Sequence, residues 1–146
     1  MKRERAAIAA GLLLLAATAA PAQDLLDPDV AFKVVARLVK PDTIELKYET
    51  ARGYYLYRDR LAYALTPVEA QLGQPKFPPG KIKQDEFFGK SVIYRNRTIV
   101  RVPVSAPSGT NLTLTADLQG CADIGVCYPP VRRTFSLASP AASGTK

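Results

Sequence analysis

The stretch "QGCADIGVCYPP" holds both cysteines of this 146-residue chain, Cys121 and Cys127, with five residues between them. Two sulfurs so placed can form a structural bond, hold a metal, or exchange electrons with another thiol. Asp123 and Gly125 suit a tight connection. A hairpin-like loop would bring the two Cα atoms within bonding range. By the chain-entropy model a disulfide closing about seven residues contributes roughly 2.4 kcal/mol, against about 4.7 for a loop of about a hundred. As a staple it would join residues that the hairpin already holds together. Geometry does not exclude that use, so a structural bond, a redox pair and metal-bound or free thiols all stay open.

A redox pair needs a sulfur that an incoming thiolate can reach, a second sulfur near enough to resolve the mixed disulfide, and a cover against stray thiols and oxidants. A surface loop meets the first two needs. A candidate cover is "QDEFFGKS", where Phe87 and Phe88 are flanked by Asp85, Glu86 and Gly89. Adjacent strand residues point to opposite faces. One ring is therefore expected in the core, and in a polar, glycine-bearing loop at least one is expected at the surface. In "RGYYLYRD", Tyr55 and Tyr57 share one strand face and Tyr54 and Leu56 the other. Tyrosine combines apolar bulk with a hydroxyl, so such a pair can line a site or simply pack an amphipathic strand.

The chain has no histidine. That excludes Ser-His-Asp and Cys-His catalysis and histidine metal ligation. Two cysteines alone make a poor zinc site, and no metal is expected. The net charge is +7, of which the basic start Lys2–Arg5 accounts for +2. Arg95, Arg97 and Arg101 alternate along one segment and read as a solvated strand face. There is no nucleic-acid motif.

The first 22 residues have the form of a signal peptide: Lys2, Arg3 and Arg5, an apolar run centred on Leu12 to Leu15, then "ATAAPAQ" with cleavage expected after Ala22. The apolar run is short for a bilayer span. Residues 23–138 are expected to form one exported domain and 139–146, "SPAASGTK", a disordered tail or linker start. Outside the cytoplasm a cysteine pair is oxidised unless something reduces it.

Period-two alternation sets the fold class. Ile44, Leu46 and Tyr48 share a face, as do Leu112, Leu114, Ala116 and Leu118, and Val100, Val102 and Val104, and Phe32, Val34, Ala36 and Leu38. "KPDT", "FPPGK" and "APSGTN" break the runs. No helix is expected; "PVEAQLG" (67–73) reads as a single turn. Pro103 inside a strand implies an edge or a bulge. The expected fold is all-β, an immunoglobulin-like antiparallel β-sandwich.

"GYYLYRDRL", "DEFFGKSVIYRNR" and "GCADIGVCYPP" together resemble one family, the periplasmic N-terminal domain of the transmembrane thiol-disulfide interchange protein DsbD. The resemblance covers roughly residues 30–137. It implies an immunoglobulin-like fold and an active pair in which Cys127 attacks the partner disulfide and Cys121 resolves it. It implies a cap loop at Asp85–Gly89, with Phe87 shielding the sulfurs, and a lining of Tyr55 and Tyr57. Asp85 and Glu86 would raise the thiol pKa by repelling the thiolate. No cofactor is implied. Electrons would come from a membrane-embedded thiol reductase. They would go to thioredoxin-like periplasmic proteins, such as a disulfide isomerase or cytochrome c maturation factors. The family continues into a membrane domain and a thioredoxin-like domain, which these residues lack. The sequence therefore reads as a stand-alone version or a truncated product. The competing expectations are an exported Ig-like binding module with an inert disulfide, and an assembly subunit that completes its sheet with a partner strand.

Overall fold

The computed structural model describes residues 24–138. The expected signal peptide and the expected tail from 139 lie outside the described residues. Alternating apolar residues cannot bury one face singly, so strands carrying them pair and stack. In chain order the strands are β1 (Phe32–Lys40), β2 (Thr43–Thr50), β3 (Tyr54–Tyr57), β4 (Ala62–Thr66), β5 (Gln71–Leu72), β6 (Lys81–Asp85), β7 (Gly89–Tyr94), β8 (Arg97–Ser105), β9 (Asn111–Leu118), β10 (Gly120–Ala122), β11 (Val126–Cys127) and β12 (Val131–Ala138).

They form three antiparallel sheets, ordered β1-β2-β8-β5, β11-β10-β3-β7-β6 and β12-β9-β4. Register follows the hydrophobic pattern. Ile44 lies opposite Val102 and Leu46 opposite Val100. Leu114 lies between Phe135 on β12 and Leu65 on β4. These residues and their neighbours make one buried core that joins the sheets. The expected all-β, immunoglobulin-like sandwich is the observed architecture.

Two details differ from expectation. A one-turn helix forms at Pro28–Ala31 and a 3-10 turn at Arg58–Arg60. The first follows from local chemistry: the Asp27 side chain accepts the Asp29 N–H at 2.9 Å and Pro28 occupies the first helical turn. Residues 67–70 do form a turn, closed by the Ala70 N–H on the Pro67 carbonyl. Secondly, β8 has a neighbour on each side, so Pro103 is not on a bare edge. On that outer side lie the two-residue β5 and a single bridge between Lys76 and Arg101, and the Gly73 N–H donates to the Pro103 carbonyl at 2.8 Å. The register places the missing Pro103 donor on this side, which keeps the pairing short.

Candidate active site

β10 and β11 form a small hairpin in which Cys121 lies opposite Cys127 and Ala122 opposite Val126. Gly125 closes it at φ 91°, where side chains are strained. The Tyr128 N–H donates to the Gly120 carbonyl at 3.0 Å. That makes Cys121 and Cys127 a non-hydrogen-bonded pair, the type whose side chains approach most closely. Their Cα atoms are 4.0 Å apart and the sulfurs are bonded. Cys121 is wholly buried, whereas Cys127 is only partly so.

The hairpin lies against β3, with Cys121 opposite Tyr55 and Gly120 opposite Leu56. Gly120 permits this closeness. A Cβ there would stand 2.4 Å from the Tyr55 carbonyl oxygen and 2.6 Å from the Phe32 ring.

β3 divides its side chains as the alternation predicts. Tyr54 and Leu56 enter the main core. Tyr55 and Tyr57 join Ile93 and Cys121 in a separate buried cluster, with Phe88 and Cys127 packed against it. The Tyr55 and Tyr57 rings meet edge to face, 5.4 Å between centroids. The Tyr57 hydroxyl oxygen lies 3.4 Å from Cys121 Sγ. It donates to Asp85 Oδ2 at 2.5 Å and sits 3.5 Å from the Tyr55 hydroxyl.

"DEFFG" is the turn joining β6 to β7, with Asp85 paired to Gly89 and Gly89 at φ 66°. Asp85 Oδ1 accepts the N–H groups of Phe87 (3.0 Å) and Phe88 (2.8 Å). One carboxylate thus fixes the turn and grips Tyr57. Burial opposes its charge, but the Tyr57 hydroxyl, the Phe88 and Phe87 N–H groups and Lys83 outweigh burial and hold the Asp85 carboxyl below its usual range. Burial, then the bonds to Asp85 and Tyr55, push the Tyr57 phenol well above its ordinary value. Tyr57 is therefore a fixed neutral donor at physiological pH.

The two phenylalanines separate. Phe88 packs on Tyr57 at 4.7 Å, with the Arg60 guanidinium 4.2 Å from its ring centre. Phe87 is 46 % exposed, and Glu86 is exposed at the tip.

Sequence reasoning missed one contributor. Arg95 does not share a strand with Arg97 and Arg101. It lies in the turn between β7 and β8, which Asn96 closes at φ 59°. From there its guanidinium binds both carboxylate oxygens of Asp123, at 3.0 and 2.7 Å. It also donates to the Tyr54 carbonyl at 3.2 Å and lies 5.1 Å from the Tyr55 ring centre. The Asp123 carboxyl is held below its usual range, mainly by this bond to Arg95. The available signal was Asp123 itself, an acid inside the cysteine loop.

Among the described residues no group of three or more His, Cys, Asp or Glu is placed to hold a metal. Among them, too, no helix is long and apolar enough to cross a membrane.

Comparison with known proteins agrees with this geometry. Residues 22–139 match the family model "Thiol:disulfide interchange protein DsbD, N-terminal". The thiol:disulfide interchange protein DsbD of Ralstonia nicotianae is 43% identical over 91% of this chain, and DsbD 1 of Pseudomonas aeruginosa is 40% identical over 79%. These alignments take in 23% and 20% of the relatives, so the chain spans about a fifth of their length. The reduced N-terminal domain of Neisseria meningitidis DsbD superposes with a TM-score of 0.72 at 38% identity, covering 78% of this chain and 90% of that one. The same domain in its complex with the PilB N-terminal domain gives 0.67 at 37% identity, covering 79% and 88%. With its sandwich, its cysteine hairpin and these matches, the chain belongs to the family of the DsbD N-terminal domain.

Proposed function

We propose that this domain is a periplasmic thiol-disulfide oxidoreductase acting as a protein-disulfide reductase. It takes two electrons from a membrane-embedded thiol reductase and passes them to thioredoxin-like periplasmic proteins, such as a disulfide isomerase or cytochrome c maturation factors. The observation that carries the assignment is the unequal burial of the two cysteines. A partner can reach only the outer one.

In the reduced pair the Cys127 thiolate attacks a partner disulfide. One partner sulfur leaves as thiolate and takes up a proton. Cys121 then loses its proton to solvent and attacks Cys127 Sγ. This re-forms the internal bond and frees the partner as a dithiol. Tyr55 and Tyr57 line the site, and the Tyr57 hydroxyl, its proton given to Asp85, faces Cys121 as an acceptor for the reduced thiol. The Asp85–Gly89 turn is the cap: Phe88 packs on Tyr57, and Phe87 shields the sulfurs when the turn closes and swings away on docking. The negative charges of Asp85 and Glu86 keep the resting thiols protonated. The Neisseria complex with a PilB domain supports a protein as the partner.

Trapping tests the assignment. Cys121→Ala is expected to accumulate mixed disulfides through Cys127, and Cys127→Ala to accumulate none. The reverse pattern overturns the assignment of the attacking sulfur. A reduction potential below about −300 mV, the range of structural disulfides, sinks the relay. It would favour the binding module, whose partner should survive a double Cys→Ser replacement.

A further inference from the structure

Reduction removes the only covalent tie within the cysteine hairpin. What remains is a ladder of two residue pairs, closed at its base by the Tyr128 N–H on the Gly120 carbonyl and by the Gln119 side-chain amide on the Tyr128 carbonyl, a short hairpin of marginal stability. The tip has two more anchors. The Asp123 N–H donates to the Gly53 carbonyl at 2.8 Å. The Asp123 carboxylate meets the Arg95 guanidinium in a two-pronged bond, and Arg95 is tied to the strand beneath by the Tyr54 carbonyl. Arginine presents a rigid, planar donor fork, so such a bond fixes orientation as well as distance.

Resting on the redox function proposed above, we propose that Arg95 and Asp123 are positioning residues. Their fork holds the reduced hairpin in register, so that Cys121 stays opposite Cys127 after the disulfide opens. Neither residue touches the reacting sulfurs. The fork acts through the effective concentration of one thiol toward the other. In the oxidised domain the disulfide already orders the hairpin, and the fork forms without further ordering cost. In the reduced domain it must also order the chain. It therefore favours the oxidised form, and its loss makes the disulfide easier to reduce. Loss of the fork also slows resolution, because Cys121 is then less often beside Cys127 when the mixed disulfide forms.

The test is the equilibrium of the purified domain with glutathione buffers at fixed pH. Arg95→Gln and Asp123→Asn are each expected to lower the constant for disulfide formation about tenfold, an upward shift of roughly 30 mV for a two-electron couple. The double variant should match the singles, since either removes the fork. Arg95→Lys, which keeps the charge but not the fork, should behave like Arg95→Gln. A merely electrostatic role gives a different pattern: the two singles shift in opposite directions and lysine restores the wild-type value. Either that pattern or unmoved constants overturns the proposal. Should Arg95→Gln not fold, Arg95→Lys decides, because it keeps the charge and loses the fork: an upward shift supports the proposal and the wild-type value overturns it. Failure of the parent function looks different, because the wild-type potential itself then falls in the structural range.

Discussion

The two faces of β3 lead into unlike interiors. Tyr54 and Leu56 enter a core made largely of aliphatic side chains from β2, β8 and β9. Tyr55 and Tyr57 enter a cluster of only four buried residues, one of them Cys121. The first interior is held by packing, and its residues could be exchanged for others of similar volume. The second is held by directed contacts, from the Tyr57 hydroxyl to Asp85 and from Asp85 to two backbone N–H groups. One four-residue strand thus separates what keeps the domain folded from what keeps its sulfurs in place.

Substitutions on the two faces should then differ in kind. Leu56→Ala should cost about 2–5 kcal/mol of stability, as buried leucine truncations do, with the reduction potential little moved. Urea denaturation and glutathione equilibration check the two halves. A large change in potential would dissolve the distinction. Tyr57→Phe keeps the ring and removes one hydrogen bond to a carboxylate, so about 1.5–3 kcal/mol is expected. Its marker is an upward move of the Asp85 carboxyl, read by NMR titration.

Acid should reach the second region through Asp85. The Asp85 carboxyl lies below its unfolded value. Its contribution to stability is present above the unfolded aspartate pKa, near 4, and is lost as pH falls through the lowered folded value. Asp85→Asn should flatten that acid limb in urea denaturation, and an unchanged limb would remove Asp85 from the account. The smallest effect is expected at Phe87→Ala. With Phe87 at 46 % exposure, stability should move within about 0.5 kcal/mol. Oxidation of the reduced pair by small oxidants should nevertheless speed up. An unchanged rate assigns the shielding elsewhere, with Phe88 the next residue to test.

Much of the fold was legible because alternation is a local signal. Ile44, Leu46 and Tyr48 could be placed on one face without knowing the partner strand, and the same rule split Tyr55 from Tyr54. The cysteine pair was legible for the same reason, since seven residues in one hairpin position each other. What escaped depends on contacts between distant segments. "DEFFG" marks a turn with two rings, but Phe88 meets Tyr57 only once β7 pairs with β3. Arg95 sits in a run of arginines that reads as a solvated face. Only the Asn96 turn, unseen in any period, aims it at Asp123.

Gly120 also bears on how the domain is made. Its missing side chain leaves room for the ring of Phe32, the first residue of the first strand. The ring beneath Gly120 and the hairpin that carries the sulfurs come from opposite ends of the domain. Because synthesis runs from the N-terminus, Phe32 emerges early and waits for nearly the whole domain before its neighbour arrives. The two cysteines emerge almost together and can find each other at once. The bond thus depends on one hairpin alone, whereas the seat of Gly120 on Phe32 depends on both ends of the domain.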